Sequence, residues 1–269
     1  MTVLVGIRCK DGILIASDSA ATFGAGGMFT IGQQQVQKVK TLGDHIIYAA
    51  TGAVGISQIL SNQILRLWKT NGFSGLTEPE QVMDKIGKEI AQFLNPYLHT
   101  AQYQRSLTGE AGSSICKSLV AIPVNKKPHL FQFDVNGSPE MCTKDLPFVA
   151  LGSGQAIADP FLAYTKRLLW SDSEPSLSEG RLVAAWTIDH VKRTNPGGVG
   201  GGIQMAILPL PSKPGDLPTV QSASDTDIGE HLEKINAAET ALINEIKGIN
   251  TGTSTAIPGV PVPGSPATP

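Results

Sequence analysis

Residues 2–24 read TVLVGIRCKDGILIASDSAATFG, and the way this stretch folds decides the rest of the chain. Its apolar residues alternate on either side of Lys10-Asp11-Gly12, which predicts two short strands, TVLVGIRC and GILIASDS, joined by a tight turn. Asp18 falls near the end of the second strand, where half of the side chains face a core. A carboxylate there requires a cationic or hydrogen-bonding partner. Thr2, at the head of the first strand, stands directly behind a methionine, the context in which an initiator is commonly removed. Removal leaves a free N-terminal threonine: a hydroxyl nucleophile and an amine of ordinary pKa about 7.7–8.0 in one residue, with no histidine required.

Composition sets outer bounds. A chain of 269 residues, 41% hydrophobic and 16% charged, is long enough to bury a sizeable core as one domain or two. With a net charge of -2 and no run of Lys or Arg, nothing points to nucleic acid or an anionic membrane as partner. No apolar run approaches the roughly 20 residues of a membrane span, and the start lacks a basic-then-apolar leader, so a cytoplasmic protein is expected. Cys9, Cys116 and Cys142 are far apart and form no CxxC pair; His45, His99, His129, His190 and His231 are scattered. Buried thiols, no metal and no cofactor are the expectation.

Outward from the hairpin, the pattern alternates between sheet and helix. A Gly-rich loop at Gly24-Ala25-Gly26-Gly27 leads to strand-like residues around Phe29-Thr30-Ile31 and to HIIYAATG at 45–52. Helical spacing of apolar residues follows over 53–70 and again over 80–97. KSLVAIPV, HLFQFDV and PFVALG read as strands, with a turn at Asn136-Gly137; IADPFLAYTKRLLW and LSEGRLVAAWTIDHVKRT read as helices, and IQMAILPL as a closing strand. This order suits two sheets enclosed by two helical layers. Residues 2–226 form the expected main domain. Residues 227–250 place Ile228, Leu232, Ile235, Leu242, Ile246 and Ile249 on one stripe of a further helix suited to docking or oligomerisation. The tail 251–269 carries five prolines and no charge, which predicts an extended or disordered segment.

The opening resembles that of the proteasome β-subunit family of N-terminal-nucleophile hydrolases: a nucleophilic threonine, a strand, a KDG turn, and a strand ending in a catalytic aspartate, which falls on Asp18. QKVKTL resembles the stretch with the family's catalytic lysine, here Lys38. YAATGAVG is similar to the segment whose glycine N–H forms an oxyanion hole, a role that carries to Gly52, and ALGSG resembles the family's GSG, with Ser153 near the N-terminal amine. Taken singly, these residues suit a strand start, a structural ion pair, a hinge and a turn; their joint order carries the likeness. The resemblance implies an α/β fold of the four-layer αββα type with an additional C-terminal helix. It also implies a threonine peptidase with Thr2, Asp18, Lys38, Gly52 and Ser153 as catalytic residues. Ala21, Val36, Ala50 and Val54 then line a pocket suited to uncharged, apolar side chains, and Lys40, if it reaches the base, admits acidic ones as a second choice.

The same resemblance implies polypeptide substrates, a homo-oligomeric double ring of six or seven subunits per ring, and an ATPase unfoldase or adaptor as a further partner. Within the family the opening is closest to bacterial homologues of the BPH or HslV type. A non-catalytic ring subunit and a small-amide hydrolase of the same superfamily are the alternatives. One departure stands out. The family usually carries an aspartate, and a serine three residues on, before the closing strand, where this chain has Pro196 and Val199. Glycine amides, the Thr194 hydroxyl or Asp189 are left as replacements.

Overall fold

The hairpin forms as its alternation demands. In the computed structural model, which describes residues 2–22, 33–108, 116–170, 173–195 and 198–251, strands β1 (Leu4–Cys9) and β2 (Gly12–Asp18) pair from Leu4 opposite Ser17 to Cys9 opposite Gly12. The expected Gly-rich loop, the strand around Phe29-Thr30-Ile31 and the tail beyond Thr251 lie outside the described residues. A ribbon of β3 (Ala20–Thr22) and β4 (Gln33–Gln35) continues from the end of β2. The second sheet runs β5 (Val39–Leu42), β6 (Ile46–Gly52), β7 (Cys116–Val124), β8 (Lys127–Phe133) and β9 (Pro139–Met141) in chain order. β10 (Phe148–Leu151) pairs with the other edge of β1, β11 (Ile203–Pro209) with β2, and the two-residue β12 (Gln221–Ser222) with β11. Every pairing is antiparallel, so each strand can offer one face to a helix layer and the other to the opposite sheet.

That two-sided burial explains why the strands read as nearly continuous apolar runs. Val3, Val5, Ile7, Leu14 and Ala16 face one helix layer, while Leu4, Ile13 and Ile15 turn inward against Ile47, Leu119, Ala121 and Leu130 of the second sheet. On that sheet's far side Ile46, Tyr48, Val120 and Phe131 meet helices α1 (Val54–Lys69) and α2 (Pro79–Thr108). Each fully buried aliphatic side chain contributes about 1.5–3 kcal/mol relative to exposure. The inner layer therefore fixes how the two sheets sit on one another. A four-layer α/β sandwich results, as expected.

The first sheet is covered by α3 (Gln155–Thr165), which runs on as a π-helical turn over Lys166–Trp170, and by α4 (Leu177–Thr194). Ser176 and Glu179 form a capping box at the start of α4, and the Asp11 carboxylate of the β1–β2 turn accepts from the Leu177 N–H at 2.7 Å. Gly180 lets α4 lie close to the sheet: a Cβ there would stand 2.7 Å from Cys9 Sγ and 2.8 Å from a Leu14 methyl. α5 (Asp225–Thr251) begins two residues before the stripe suggested, capped by Ser224, whose hydroxyl accepts from the Asp227 N–H at 3.1 Å. Ile228 and Ile235 of α5 are buried against α4, and Glu239 accepts hydrogen bonds from Trp186 Nε1 and Arg193. Past that point Leu242, Ile243 and Ile246 are exposed.

Candidate active site

The antiparallel pairing brings the start of β1 and the end of β2 to one end of the sandwich. Thr2 precedes β1, Asp18 closes β2, Lys38 precedes β5, Gly52 closes β6 and Ser153 follows β10. These five residues, separated by up to 151 positions in sequence, converge there. The Lys38 amine donates to Thr2 Oγ1 at 3.0 Å and to Asp18 Oδ1 at 2.8 Å. Asp18 is fully buried and the Lys38 side chain is 7% exposed, so the ion pair is nearly closed to water.

A carboxylate in that position needs further donors, and the backbone supplies them. The Val3 N–H donates to Asp18 Oδ1 at 3.0 Å and the Gly200 N–H to Oδ2 at 3.2 Å. Gly200 sits in the loop where the family's usual aspartate and serine are absent. Of the replacements considered from sequence, the glycine amide is the one that reaches the site's carboxylate. Thr194 instead bonds back to the His190 carbonyl of its own helix, and Asp189 pairs with Arg193. Pro196 lies outside the described residues, and Val199 is buried in the helix-side core.

On the other side, the Thr2 backbone nitrogen donates to Ser153 Oγ at 3.0 Å, and the Gly154 N–H donates to the Thr2 carbonyl at 3.1 Å. The chain can come so close only because residue 152 is glycine. Gly152 has φ +99°, and a Cβ there would overlap the Thr2 carbonyl. Lys38 is held by its own backbone: Gln204 Oε1 accepts from the Lys38 N–H at 2.8 Å and from the Val39 N–H at 3.3 Å, while Gln204 Nε2 donates to the Val36 carbonyl at 2.7 Å. Neither Gly152 nor Gln204 was singled out in the sequence. The signal for Gln204 was available, as the one amide in the apolar run IQMAILPL.

Burial holds the Lys38 amine below its ordinary value of 10.5, and the hydrogen bond and charge of Asp18 offset this only in part. Such an amine exchanges its proton more readily than a solvated lysine, and it lies within hydrogen-bond reach of a hydroxyl. The arrangement can deprotonate Thr2 Oγ1. The thiols offer no rival nucleophile, since burial pushes Cys9 and Cys142 up to about 12 and Cys116 to about 11. Among the described residues no cluster of His, Cys, Asp or Glu could hold a metal, and no helix is long and apolar enough to cross a membrane.

A cavity of about 420 Å³ opens beside Thr2. Ala21, Val36, Ala50 and Val54 line it, and so do Lys40, Ser57 and Gln58. Gly52, with φ +111°, turns the chain at its rim from β6 into α1.

A family model described as "Proteasome subunit" matches residues 2–168. "Proteasome subunit beta 1" of Thermococcus onnurineus (strain NA1) is 29% identical over 162 residues, 58% of this chain and 66% of that relative's own length. The chain thus spans about two thirds of that relative. "Proteasome subunit beta" of Methanococcus maripaludis (strain C5 / ATCC BAA-1333) is 25% identical over 237 residues, 87% of this chain and 92% of the relative. Among solved structures, "Anbu (ancestral beta-subunit) from Yersinia bercovieri" superposes with a TM-score of 0.65 at 16% identity, covering 96% of this chain and 99% of that one. At that identity the likeness is one of fold, and the fold is the four-layer architecture described above. With its family match spanning well over half the sequence, from Thr2 into the turn after α3, the chain belongs to the proteasome β-subunit family.

Proposed function

We propose that this protein is a threonine-type endopeptidase whose nucleophile is the Thr2 hydroxyl, exposed at the mature N-terminus after removal of Met1. The observation that carries the reading is the Lys38 amine, 3.0 Å from Thr2 Oγ1 and anchored at 2.8 Å to buried Asp18. Lys38 takes the hydroxyl proton as the oxygen attacks a peptide carbonyl. The Gly52 N–H stabilises the oxyanion, a donor worth about 10²–10³ in rate. The Thr2 amine, oriented by Ser153, protonates the departing amine, and water then hydrolyses the ester on Thr2. Residues 2–226 act as the hydrolase domain and the C-terminal helix as an accessory to it.

The family's habit of closed rings, together with Leu242, Ile243 and Ile246 exposed on the outer half of α5, supports assembly into a ring whose chamber receives unfolded polypeptide in the cytoplasm. A non-catalytic ring subunit is the second reading, favoured by Val199 where the family has a serine. Hydrolysis of fluorogenic peptides by wild type and Thr2→Ala decides between them. Loss of hydrolysis in an assembled Thr2→Ala protein supports the peptidase. Equal rates refute the Thr2 mechanism, and inactivity of the well-assembled wild type favours the structural subunit.

A further inference from the structure

We infer that Val199, standing where the family usually carries a serine, is a positioning residue: its buried side chain anchors the glycine loop that clamps Asp18. The inference rests on the peptidase reading for its kinetic arm and goes beyond it in giving this departure from the family pattern a role. The residues that carry it lie in one short run. Residues 198–202 read GVGGG, so a single side chain is available there to hold the backbone in place. Val199 is 2% exposed and shares the helix-side core with Val3, Val191 and Ile203. The glycines that follow lie on the end of β2. The Gly200 N–H donates to Asp18 Oδ2 at 3.2 Å, and the Gly200 carbonyl accepts from the Ala20 N–H at 3.0 Å. Gly201 has φ +73°, and a Cβ there would stand 2.4 Å from Ser19 Oγ, so no side chain fits between this loop and the strand end. Ile203 then lies opposite Asp18 as β11 begins.

Three glycines in succession lose more conformational freedom on closing over Asp18 than any other residues would. Burial of the Val199 side chain, directly before them, supplies the compensation that their own missing side chains cannot. A serine at 199 would instead place a hydroxyl among apolar neighbours. Size and apolarity are therefore what this position requires here.

Loss of the anchor has a signed effect on the site. An Asp18 carboxylate without the Gly200 donor holds more of its charge for Lys38, and water admitted by an open loop relieves the burial that lowers the amine. Both changes raise Lys38 toward 10.5. The cavity wall, by contrast, does not include Val199, so substrate binding is spared.

The test measures kcat and KM for a fluorogenic peptide across pH in wild type, Val199→Ala, Val199→Ser and Val199→Ile. Rates are counted per site titrated with a peptide epoxyketone, which removes any difference in folded fraction. Val199→Ala should lose about tenfold in kcat with KM within about twofold, and its acid limb should move to higher pH. Val199→Ser should fall at least as far although it restores the family's residue, while Val199→Ile should stay within about threefold of wild type. If Val199→Ala does not fold, Val199→Thr, of the same outline but with a buried hydroxyl, takes its place with the same direction of shift. Hydrogen–deuterium exchange over 198–202, relative to β7, needs no turnover and should be about tenfold faster in Val199→Ala and Val199→Ser but not in Val199→Ile. If wild type cleaves no peptide, the peptidase reading fails and the exchange alone judges the inference. A Val199→Ser protein faster than wild type, an acid limb that stays or moves down in Val199→Ala, or unchanged exchange over 198–202 overturns it.

Discussion

Replacing Lys38 by methionine probes the pair on which the site is built, and the structure sets the size of the effect. Methionine keeps the length of the stem and deletes the ammonium. Asp18 would then sit fully buried with donors from the Val3 and Gly200 amides and a long contact from the Ser17 hydroxyl, and without its cation. Breaking a buried pair by removing one partner costs about 3–5 kcal/mol. For a chain of this size about 2–4 °C is lost per kcal/mol, so the melting temperature should fall by about 6–20 °C at fixed protein concentration. The control is the double variant Lys38→Met/Asp18→Asn, in which no buried charge remains. It should be more stable than the sum of the two single changes implies by about 0.5–3 kcal/mol, because each single change leaves the other partner stranded. Urea titrations of all four proteins give the cycle. If Lys38→Met lies within about 0.5 kcal/mol of wild type, as an ordinary surface substitution would, the account of a closed, coupled pair is wrong.

Other consequences are narrower. Hydrolysis should rise along an acid limb whose midpoint lies below 10.5, because burial lowers Lys38; Asp18→Asn removes the group that raises it, so in kcat against pH the limb should move to lower pH, and a shift upward would contradict the role assigned. Because the native lysine sheds its proton at a lower pH than the unfolded one, its contribution makes stability rise with pH between the folded value and 10.5, which denaturant titrations across that window should reveal as a positive slope. Gly152→Ala should reduce kcat by more than tenfold while leaving the chain folded, since the left-handed φ of +99° and the new Cβ against the Thr2 carbonyl push the nucleophile from Lys38. Gln204→Leu strips the hydrogen bonds that hold 36–39 and should cost about 1–3 kcal/mol in urea melts, with a fall in kcat larger than any change in KM.

What could be read in advance follows physical range. The β1–β2 hairpin was legible because alternation and an Asp-Gly turn are local signals, and Asp18 declared its need for a partner by standing in a buried strand. Lys38 then followed from the family pattern. The structure brings its amine onto that carboxylate. Contacts such as Gly200 to Asp18, Gln204 to Lys38 and Gly152 against Thr2 span 182, 166 and 150 residues, and no periodicity encodes them. Helix limits were less legible: α2 was expected to end near Tyr97, yet it continues to Thr108 through Pro96, whose carbonyl accepts from the Thr100 hydroxyl at 2.9 Å, with Tyr103 and Leu107 exposed. The alanines and valines of the cavity were visible as a set, and Lys40 lines it beside them.

The most direct test of the central claim is the intact mass of the purified full-length protein before and after incubation with a peptide epoxyketone, followed by mapping of the modified peptide. The expected result is a chain lacking Met1, beginning at Thr2, that gains one probe mass on Thr2 and gains none in Thr2→Ala. A protein that retains Met1 on most molecules, or that carries the probe on any residue other than Thr2, contradicts it.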